Sequence, residues 1–285
     1  MNKKTNTGIL YVVATPIGNI QDITYRAVNI LQKVQLIAAE DTRHTKYILE
    51  TFQITTKMTS LHQYNESYKT NKIIFLLKTM NIALVSNAGT PTIHDPGYIL
   101  VQSCHKNNIQ VVPIPGPCAL IAALSASGLP SNNFYYKGFL PRKTLLRKKI
   151  LLKTKNIQQT IVFYESCHRI LHSMKDIVNY LGRNRIIVLV KEITKKWETI
   201  KYGPASDILL WLQQDHTRKK GEMVIVISGI KLHKKTIPLN VHNTLSVLIK
   251  QLTLKQAIQL TSLIHKTNKN QIYTYAIQNF IHDKK

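Results

Sequence analysis

Three short apolar runs in the N-terminal part of the chain each lead straight into a loop rich in glycine and proline, and this repetition strongly constrains the fold. The loops are Ala14-Thr-Pro-Ile-Gly-Asn19, residues 86–97 and Pro115-Gly-Pro117. A buried strand followed by such a turn and then a helix is the repeating unit of a parallel α/β sheet. Ligands of these sheets bind beyond the carboxyl ends of the strands. The three loops therefore predict both a sheet and the position of a ligand site.

The composition of the three loops restricts the ligand. None of them matches a dinucleotide fingerprint or a phosphate loop, and none contains lysine or arginine. Gly89 lets the backbone approach a ligand without a Cβ in the way. The pattern favours a neutral or cationic ligand over a nucleotide phosphate.

The alternation of strands and helices predicts an α/β fold with two α/β domains and a small C-terminal helical domain. Strands are predicted in the first domain at residues 9–14, 36–39, 82–85 and 110–112. Strands are predicted in the second domain at residues 134–138, 160–164, 186–190, 198–202 and 223–227, with helices near 142–154, 168–181 and 204–214. The predicted domains are residues 8–128, 129–230 and 241–285, with a basic linker at 231–240.

Helix signals fix several details. Asp22 is predicted to cap the first helix, and Asp95 is predicted to cap another, with Pro96 at its first position and His105 near its end. In the C-terminal domain, helical spacing places one set of residues on a single face. They are Leu254, Ala257, Ile258, Thr261 and Ile264.

The charge of the chain favours a polyanionic partner. There are 39 Lys and Arg against 14 Asp and Glu, a net charge of +25. Such an excess suits phosphate neutralisation on nucleic acid, although a bias towards lysine, asparagine and isoleucine would also raise it. Three cysteines without metal-site spacing indicate neither a disulfide framework nor a zinc site, and a reducing cytoplasm fits. No apolar run approaches the length of a membrane span, so no membrane partner is expected.

The motifs together resemble a known family. They include the three loops above, Ala39-Glu-Asp-Thr-Arg43, Phe163-Tyr-Glu-Ser166, Glu192-Ile-Thr-Lys195 and Gly221-Glu-Met223. In this order they resemble the ribosomal RNA small subunit methyltransferase I family, part of the tetrapyrrole-methylase class of S-adenosylmethionine (SAM) enzymes. The resemblance runs from about Gly8 to the C-terminus. It implies a SAM cleft between the two α/β domains, 2′-O-methylation of a cytidine in the decoding region of 16S ribosomal RNA, and a cytoplasmic homodimer.

The resemblance also implies which residues form the cleft. The expected SAM-binding residues are Pro16, Gly18, Asn87, Gly89, Thr90, Pro91, Ile93, Pro117, Cys118, Ala119, Tyr164, Glu222 and Met223. Methyl transfer to a ribose hydroxyl is an in-line displacement in which a base accepts the proton, and no metal is required.

Candidate catalytic residues follow apolar strands. They are Glu40, Asp41, Arg43, Glu165, Glu192 and Lys195. Because adjacent strand residues point to opposite faces, only one of Glu40 and Asp41 is expected to reach the substrate, and the other is expected to cap the next helix. Glu165 and Asp41 are the preferred bases. Glu–Lys or Glu–Arg pairs at these strand ends could orient the base, bind phosphate or form plain ion pairs.

Four residues depart from the family pattern. Asn87 replaces a usual aspartate and Lys191 a usual arginine, while His94 stands where a small polar residue is common and Cys167 where proline or threonine is more usual. If the charge at position 87 were essential, the chain would be an RNA-binding assembly factor without catalysis, and this alternative stays open. A tetrapyrrole methylase is a third alternative, which the basic charge and the C-terminal helices disfavour.

Two basic segments are candidates for RNA contact. One is the turn Lys266-Thr-Asn-Lys269-Asn270, which lies between two predicted helices and is followed by Tyr273 and Tyr275. Basic groups with nearby aromatic rings suit backbone contact and base stacking, although Tyr275 could instead pack in the core. The other segment, Arg142-Lys143 with Arg147-Lys148-Lys149, is predicted to form a solvated or RNA-facing helix side.

Overall fold

The structure is a computed structural model that describes residues 8–230 and 237–281. The chain divides into two compact units, with the division between Gly229 and Ile230. The predicted fold class is confirmed, since the larger unit contains two five-stranded sheets with helices and the smaller unit is helical. The predicted domain boundaries stay predictions. No helix within the described residues is long and apolar enough to cross a membrane.

The first sheet is entirely parallel, as predicted, and has the order β3-β2-β4-β1-β5. Its strands are β1 Leu10–Val13, β2 Leu36–Ala39, β3 Met58–Ser60, β4 Ile82–Val85 and β5 Val111–Ile114. Alternate residues of β4 contribute to two different cores, Ala83 and Val85 to one and Ile82 and Leu84 to the other. The sheet is therefore buried on both faces, as expected of parallel sheets. The sequence did not predict β3, because three half-buried residues give too short a periodic signal.

Five helices accompany the first sheet. They are α1 Tyr25–Lys33, α2 Thr42–Thr51, α3 Glu66–Leu76, α4 Tyr98–Lys106 and α5 Ala119–Ala126. The predicted cap of α1 is wrong. Asp22 ends a short 3₁₀ turn, Ile20–Asp22, while the Thr24 hydroxyl accepts the N–H of Ala27 and caps the helix.

The predicted N-terminus of α4 is also wrong, and the reason matters for the site. The helix begins at Tyr98, three residues beyond Asp95. Its free N–H groups are accepted by the buried carboxylate of Glu66 on α3, at 2.8 Å from Ile99 N and 3.3 Å from Leu100 N, and Gly97 N lies 3.0 Å from the same oxygen. Glu66, which is distant in sequence, thus caps the helix that the Asp-Pro pair indicated Asp95 would cap. The Asp95 side chain is left for another role.

The second sheet is mixed and has the order β6-β7-β10-β8-β9. Its strands are β6 Phe134–Phe139, β7 Thr160–Glu165, β8 Ile186–Lys191, β9 Thr199–Pro204 and β10 Met223–Ile227. Only β6 and β7 are parallel, and β10 is antiparallel to both β7 and β8. Met223 lies opposite Glu165 on one side and Lys191 on the other. The start of β10 and the ends of β7 and β8 therefore meet at one edge of the sheet.

Helices cover both faces of the second sheet. The helices between its strands are α6 Thr144–Thr154, α7 Ile170–Leu181 and α8 Ala205–Gln214, and a 3₁₀ turn follows at His216–Lys219. The buried residues of α5 pack against alternate residues of β7, β8 and β10, so α5 fastens the first sheet's last loop to the second sheet.

The expected solvated or RNA-facing character of Arg147 is wrong. Its side chain is buried on α6, and its guanidinium lies 2.7 Å from the Asp176 carboxylate of α7. The same guanidinium donates to the carbonyl oxygens of Pro141 and Arg142. A basic run in the sequence does not reveal which member is paired inside, because the partner is distant in the chain.

The smaller unit is a three-helix arrangement with its own apolar core. Its helices are α9 Leu239–Leu248, α10 Leu254–His265 and α11 Lys269–Ala276, followed by a π-helical turn, Ile277–Ile281. Three of the five residues predicted on one face of α10, Ala257, Ile258 and Thr261, are fully buried, whereas Ile264 is exposed. The predicted linker at 231–240 lies mostly outside the described residues, and α9 already begins at Leu239.

Candidate active site

The three loops singled out in the sequence are joined to one another. Thr15 and Gly89 form an antiparallel bridge with N–H···O distances of 2.9 and 3.0 Å. The Thr90 hydroxyl donates to the carbonyl oxygen of Pro117 at 3.0 Å. The loops after β1, β4 and β5 therefore form one rigid edge.

This edge faces the second sheet across a cavity of about 570 Å³, within the size range of small-ligand sites. The cavity walls come from the loops after β1, β4, β5, β7 and β8 and from the start of β10. They include Ile17, Gly89, Thr90, Ile93, His94, Asp95, Cys118, Ala119, Phe139, Tyr164, Glu165, Cys167, Glu192, Ile193, Lys195, Gly221, Glu222, Met223 and Val224. The cavity lies between the two sheets, where the family resemblance implied a SAM cleft.

Gly89 is a position where the cavity needs glycine. Its φ is +80°, a conformation that side-chain-bearing residues rarely adopt, and a Cβ there would lie 3.3 Å from Ile17 Cγ2. Farther along the same loop, Thr92 and His94 also have left-handed backbone angles. Non-glycine residues in this region cost energy and cluster at binding and catalytic sites.

Three rings, those of His94, Phe139 and Tyr164, form an aromatic wall at one side of the cavity, and Tyr136 packs against it. His94 lies 5.0 Å from Phe139 between ring centres, Phe139 lies 5.6 Å from Tyr164, and Tyr164 lies 5.2 Å from Tyr136. The Tyr164 hydroxyl accepts the Leu120 N–H at the start of α5. Burial, with a smaller effect of Cys118, raises the pKa of Tyr164 to about 12, and burial also raises the pKa of Tyr136. Both phenols therefore stay protonated and are unsuited to accept a proton.

Asp95 is the carboxylate of the cavity with a raised pKa. Burial, together with the nearby Glu40, raises the pKa of Asp95 to about 6. General-base catalysis is most effective when the pKa of the base is near the working pH. The residue interpreted from the sequence as a helix cap is therefore a candidate base.

The predicted partners Glu192 and Lys195 form an ion-pair network with Glu222. The Lys195 ammonium lies 3.2 Å from Glu192 and 2.8 Å from Glu222. Although burial opposes ionisation of Glu192, the N–H of Glu222 and the Lys195 ammonium hold its pKa below the ordinary value. Of the interpretations left open for this pair, an ion pair at the rim of the cavity fits the geometry.

Glu165 lines the cavity, but its two oxygens are already occupied. One accepts the Ser166 N–H at 2.7 Å and lies 3.1 Å from the Arg169 guanidinium, and the other accepts the Ser173 hydroxyl. The side chain is fully buried. These contacts suit a residue that holds the end of β7 in place.

Glu40, Asp41 and Asn87 surround a neighbouring depression of about 370 Å³, which shares His94 with the cavity. Asp41 caps α2 and binds the exposed Arg43 through both oxygens, at 3.1 and 2.7 Å, and this contact holds the pKa of Asp41 well below its usual range. The expectation that one of the two acidic neighbours caps the helix thus applies to Asp41. Asn87 Oδ1 accepts the Asp41 N–H, and Glu40 accepts the Asn87 N–H.

Five predicted cofactor residues do not line the cavity. Pro16 and Pro91 are buried behind it, and Pro117 contributes a carbonyl to the loop edge. A Cβ on Gly18 would overlap the Lys195 side chain, so Gly18 permits contact between the first loop and the loop after β8. Asn87 is the fifth and faces the depression.

The sequence reasoning missed His94, Asp95, Phe139 and Ile193 as cavity residues. Asp95 was obscured by its resemblance to a capping motif. Phe139 lies after a bulge in β6, where the register shifts between Tyr136 and Phe139, so its facing could not be predicted from alternation. His94 was noted only as a departure from the family pattern.

Comparison with known proteins agrees with the fold. Residues 9–209 match the family model described as Tetrapyrrole (Corrin/Porphyrin) Methylases. A diphthine synthase structure superposes with a TM-score of 0.61 at 14% identity, covering 79% of this chain and 92% of that one. This likeness shows the fold. The two-sheet architecture with its cleft thus defines a methylase of the tetrapyrrole-methylase class, whose methyl donor is SAM.

Two curated relatives narrow the assignment. "Ribosomal RNA small subunit methyltransferase I" of Buchnera aphidicola subsp. Baizongia pistaciae is 51% identical, over 99% of this chain and 98% of the relative. The protein of the same name from Escherichia coli O157:H7 is 49% identical, over 95% of both chains. The chain belongs to the ribosomal RNA small subunit methyltransferase I family.

Proposed function

We propose that this chain transfers the methyl group of SAM to the ribose 2′-hydroxyl of a cytidine in the decoding region of 16S ribosomal RNA. The observation that carries the proposal is the cavity between the two sheets, bordered by a half-buried carboxylate and by a second depression. The relatives of nearly the same length are named for small-subunit ribosomal RNA. The net charge of +25 suits a phosphate-rich substrate.

The residues of the cavity fit the cofactor. The glycine cradle at Gly89 removes the side chain that would fill the space, and Cys118, Ala119, Tyr164 and Met223 supply apolar surface for the purine and the aliphatic carbons of the cofactor. When bound, SAM supplies a methyl group activated by a sulfonium. Within the described parts of the chain, no three His, Cys, Asp or Glu side chains are grouped to hold a metal ion.

The depression around Glu40 gives the acceptor nucleotide a route to the cavity. His94 belongs to both, and Asp95 follows it in the chain. We assign Asp95 as the group that accepts the 2′-hydroxyl proton late in the displacement, because it faces the cavity and has a pKa near the working pH. Asp41 is less suited, since Arg43 stabilises its charge. The aromatic wall of His94, Phe139 and Tyr164 lines the cavity beside Asp95.

The proposal is tested on small subunits purified from cells that lack the protein. The subunits are incubated with the chain and SAM, and ribose methylation is mapped along the 16S rRNA. We expect one new 2′-O-methylcytidine in the decoding region, dependent on both protein and SAM. Methylation of a base, or no methylation with intact SAM binding, would contradict the proposal.

The proposal includes where and in what form the chain acts. We place it in the cytoplasm as a homodimer that meets the small subunit. Free thiols at Cys104, Cys118 and Cys167 are compatible with a reducing compartment. Light scattering on the purified chain tests the dimer, and a monomeric mass at micromolar concentration would contradict it.

A further inference from the structure

Both tryptophans of the chain, Trp197 and Trp211, line one groove of about 650 Å³ outside the cofactor cavity. The groove lies beside β8 and its following loop, the 3₁₀ turn after α8 and the start of β10. Its other walls are Lys191, Glu192, Lys196, Glu198, Thr199, Thr217, Arg218, Lys220 and Gly221. Glu192 and Gly221 also line the cofactor cavity, so the two sites share a wall.

The two rings have different environments. Trp211 is half-buried, and the Arg218 guanidinium lies 4.9 Å from its ring centre. Arg218 also donates to the Trp211 carbonyl and to Gln214, so this pair forms a fixed floor. Trp197 is 67% exposed, with the Lys196 ammonium 5.3 Å from its ring centre. An exposed tryptophan face beside a cation is suited to stacking on a base.

The groove is electropositive. Four cationic side chains line it against two carboxylates. Of these two carboxylates, Glu192 is paired with Lys195, which Glu222 also contacts, and Glu198 accepts the Thr194 N–H at 2.6 Å. Lys191 is only 8% exposed, and no carboxylate in the described parts of the chain pairs with it within 4 Å. A lysine that lines the groove without such a partner favours an anion there.

The loop that carries Trp197 is pre-organised. Residues 192–198, called the wall loop here, separate the groove from the cofactor cavity. Glu192 and Thr194 adopt left-handed backbone angles, and two backbone hydrogen bonds close successive turns from Glu192 to Lys195 and from Lys195 to Glu198. The Thr194 hydroxyl accepts the Asn19 N–H of the first loop at 3.0 Å. Because the backbone that carries the ring is already ordered, little backbone entropy is lost when a base stacks on it.

We propose that this groove binds a nucleotide of single-stranded RNA flanking the methylated residue, with its base on Trp197 and its phosphate near Lys191, Lys196 and Lys220. The proposal rests on the proposed function, because it names a second subsite for the same substrate. The shared wall keeps the bound strand next to the cofactor cavity. The groove would then hold the strand while another nucleotide occupies the cavity.

The tryptophans make the test direct, because intrinsic tryptophan fluorescence reports on this groove alone. The full chain is titrated at low salt with a single-stranded hexacytidylate RNA. We expect quenching that disappears in Trp197→Phe and persists in Trp211→Phe. Labelled RNA measured by anisotropy should bind Trp197→Ala about 5–150-fold more weakly, since stacking on an aromatic ring is worth about 1–3 kcal/mol per base.

Two controls separate a groove defect from misfolding. Tyr25→Ala removes an almost fully exposed ring at the start of α1 and should leave RNA affinity unchanged. SAM affinity by calorimetry should be the same in Trp197→Ala and in the parent chain. Absence of quenching, or unchanged RNA affinity in a Trp197→Ala chain that binds SAM, overturns the groove. Binding of cytidine 5′-monophosphate as tightly as the hexamer overturns it in favour of a free-nucleotide site.

The outcomes for the groove and for the proposed function are distinguishable. If the parent chain methylates the ribose in the small subunit and Trp197→Ala binds RNA as tightly as the parent, the groove proposal is wrong and the proposed function stands. If RNA quenches the parent's fluorescence but not that of Trp197→Phe, and the parent chain does not methylate ribose, the groove is supported and the proposed function is wrong.

Discussion

The position of Asp95 suits a proton acceptor but disfavours the charged form of its carboxylate. Its carboxylate faces the cavity, and its burial makes the charged form unfavourable. A folded-state pKa above the ordinary value means that the folded chain binds more protons than the unfolded chain between about pH 4 and pH 6. Stability contributed by this group is therefore lost as pH rises through that window. At neutral pH the ionised Asp95 therefore destabilises the folded chain, while its raised pKa suits the proposed base.

Asp95→Asn should reduce single-turnover methylation by about 10²–10⁴-fold, because the substituted amide cannot accept the hydroxyl proton. SAM affinity should change little. In the parent chain the rate should fall as pH drops below about 6, where Asp95 becomes protonated, and this fall should vanish in the variant. Rapid-quench assays across pH 5–8 measure both effects.

The same variant should be more stable than the parent above pH 6 and equally stable near pH 4, judged by urea unfolding. A loss of stability at neutral pH would show that the carboxylate is structural. A variant with the parental rate would move the base to Glu40, Glu165 or Glu192.

Gly89→Ala should weaken SAM binding by at least tenfold in a chain that remains folded, since the added methyl enters the cradle beside Ile17. Gly128→Ala is the matched control. Gly128 also has a positive φ, of +67°, but a Cβ there meets nothing within 4 Å. Both variants bear the backbone strain, and only the first fills the cavity. Equal SAM affinities by calorimetry would contradict the cradle.

Asn87→Asp should change turnover by less than about threefold, because Asn87 works through hydrogen bonds that an aspartate oxygen can keep. The added charge would lie next to Glu40 and Asp41, and we do not expect it to accept the substrate proton. Single-turnover methylation measures the effect. A hundredfold gain would favour the alternative hypothesis, in which the natural chain is an RNA-binding assembly factor without efficient catalysis.

At the scale of elements, local signals led to correct predictions and distant partners did not. Gly89 and Thr90 line the cavity as the contiguous strand, turn and helix start indicated, whereas Met223, at the start of β10, was named from the family resemblance. Glu66 capping α4, 31 residues away from Gly97, and Asp176 pairing with Arg147, 29 residues away, leave no local trace. The aromatic wall was missed for the same reason, since His94 and Phe139 meet only after both sheets have formed.

Glu66→Ala should lower the free energy of unfolding by about 2–5 kcal/mol, because each buried N–H left without an acceptor costs about 1–3 kcal/mol. The affected groups are the N–H groups of Gly97, Ile99 and Leu100. Urea unfolding measures the loss, and Glu66→Gln, which keeps one acceptor oxygen, is the milder comparison. If Asp95→Asn destabilised the chain as much as Glu66→Ala, the assignment of the cap would be wrong.

At the scale of the whole molecule, the two compact units suggest a division between chemistry and additional RNA binding. The turn between α10 and α11 carries Lys266 and Lys269, and Tyr273 after it is exposed. Tyr275 instead packs in the core of this unit, with its hydroxyl 3.0 Å from His242. Of the two tyrosines named from the sequence, only Tyr273 is therefore available for stacking.

Removing residues 230–285 should weaken RNA binding at least tenfold and leave SAM affinity within twofold, because the cavity residues all belong to the larger unit. The slope of log affinity against log salt should also become shallower, by about 0.7–0.9 for each phosphate that the shortened chain no longer neutralises. Anisotropy and calorimetry on the same preparation compare the two ligands. Equal decreases of both affinities in a monodisperse protein would end the RNA role of the helical unit.

The capping of α4 by Glu66 has a practical consequence for visualising the substrate. In many enzymes a change at the reacting group also loosens the scaffold, so that stalled complexes fall apart before they can be imaged. Here the helix that follows the proposed base, Asp95, is capped by Glu66 from a different segment of the chain. A chain with Asp95→Asn should therefore bind both the methyl donor and the ribosomal subunit without turnover. Electron microscopy could then image the complex of this variant with the small subunit.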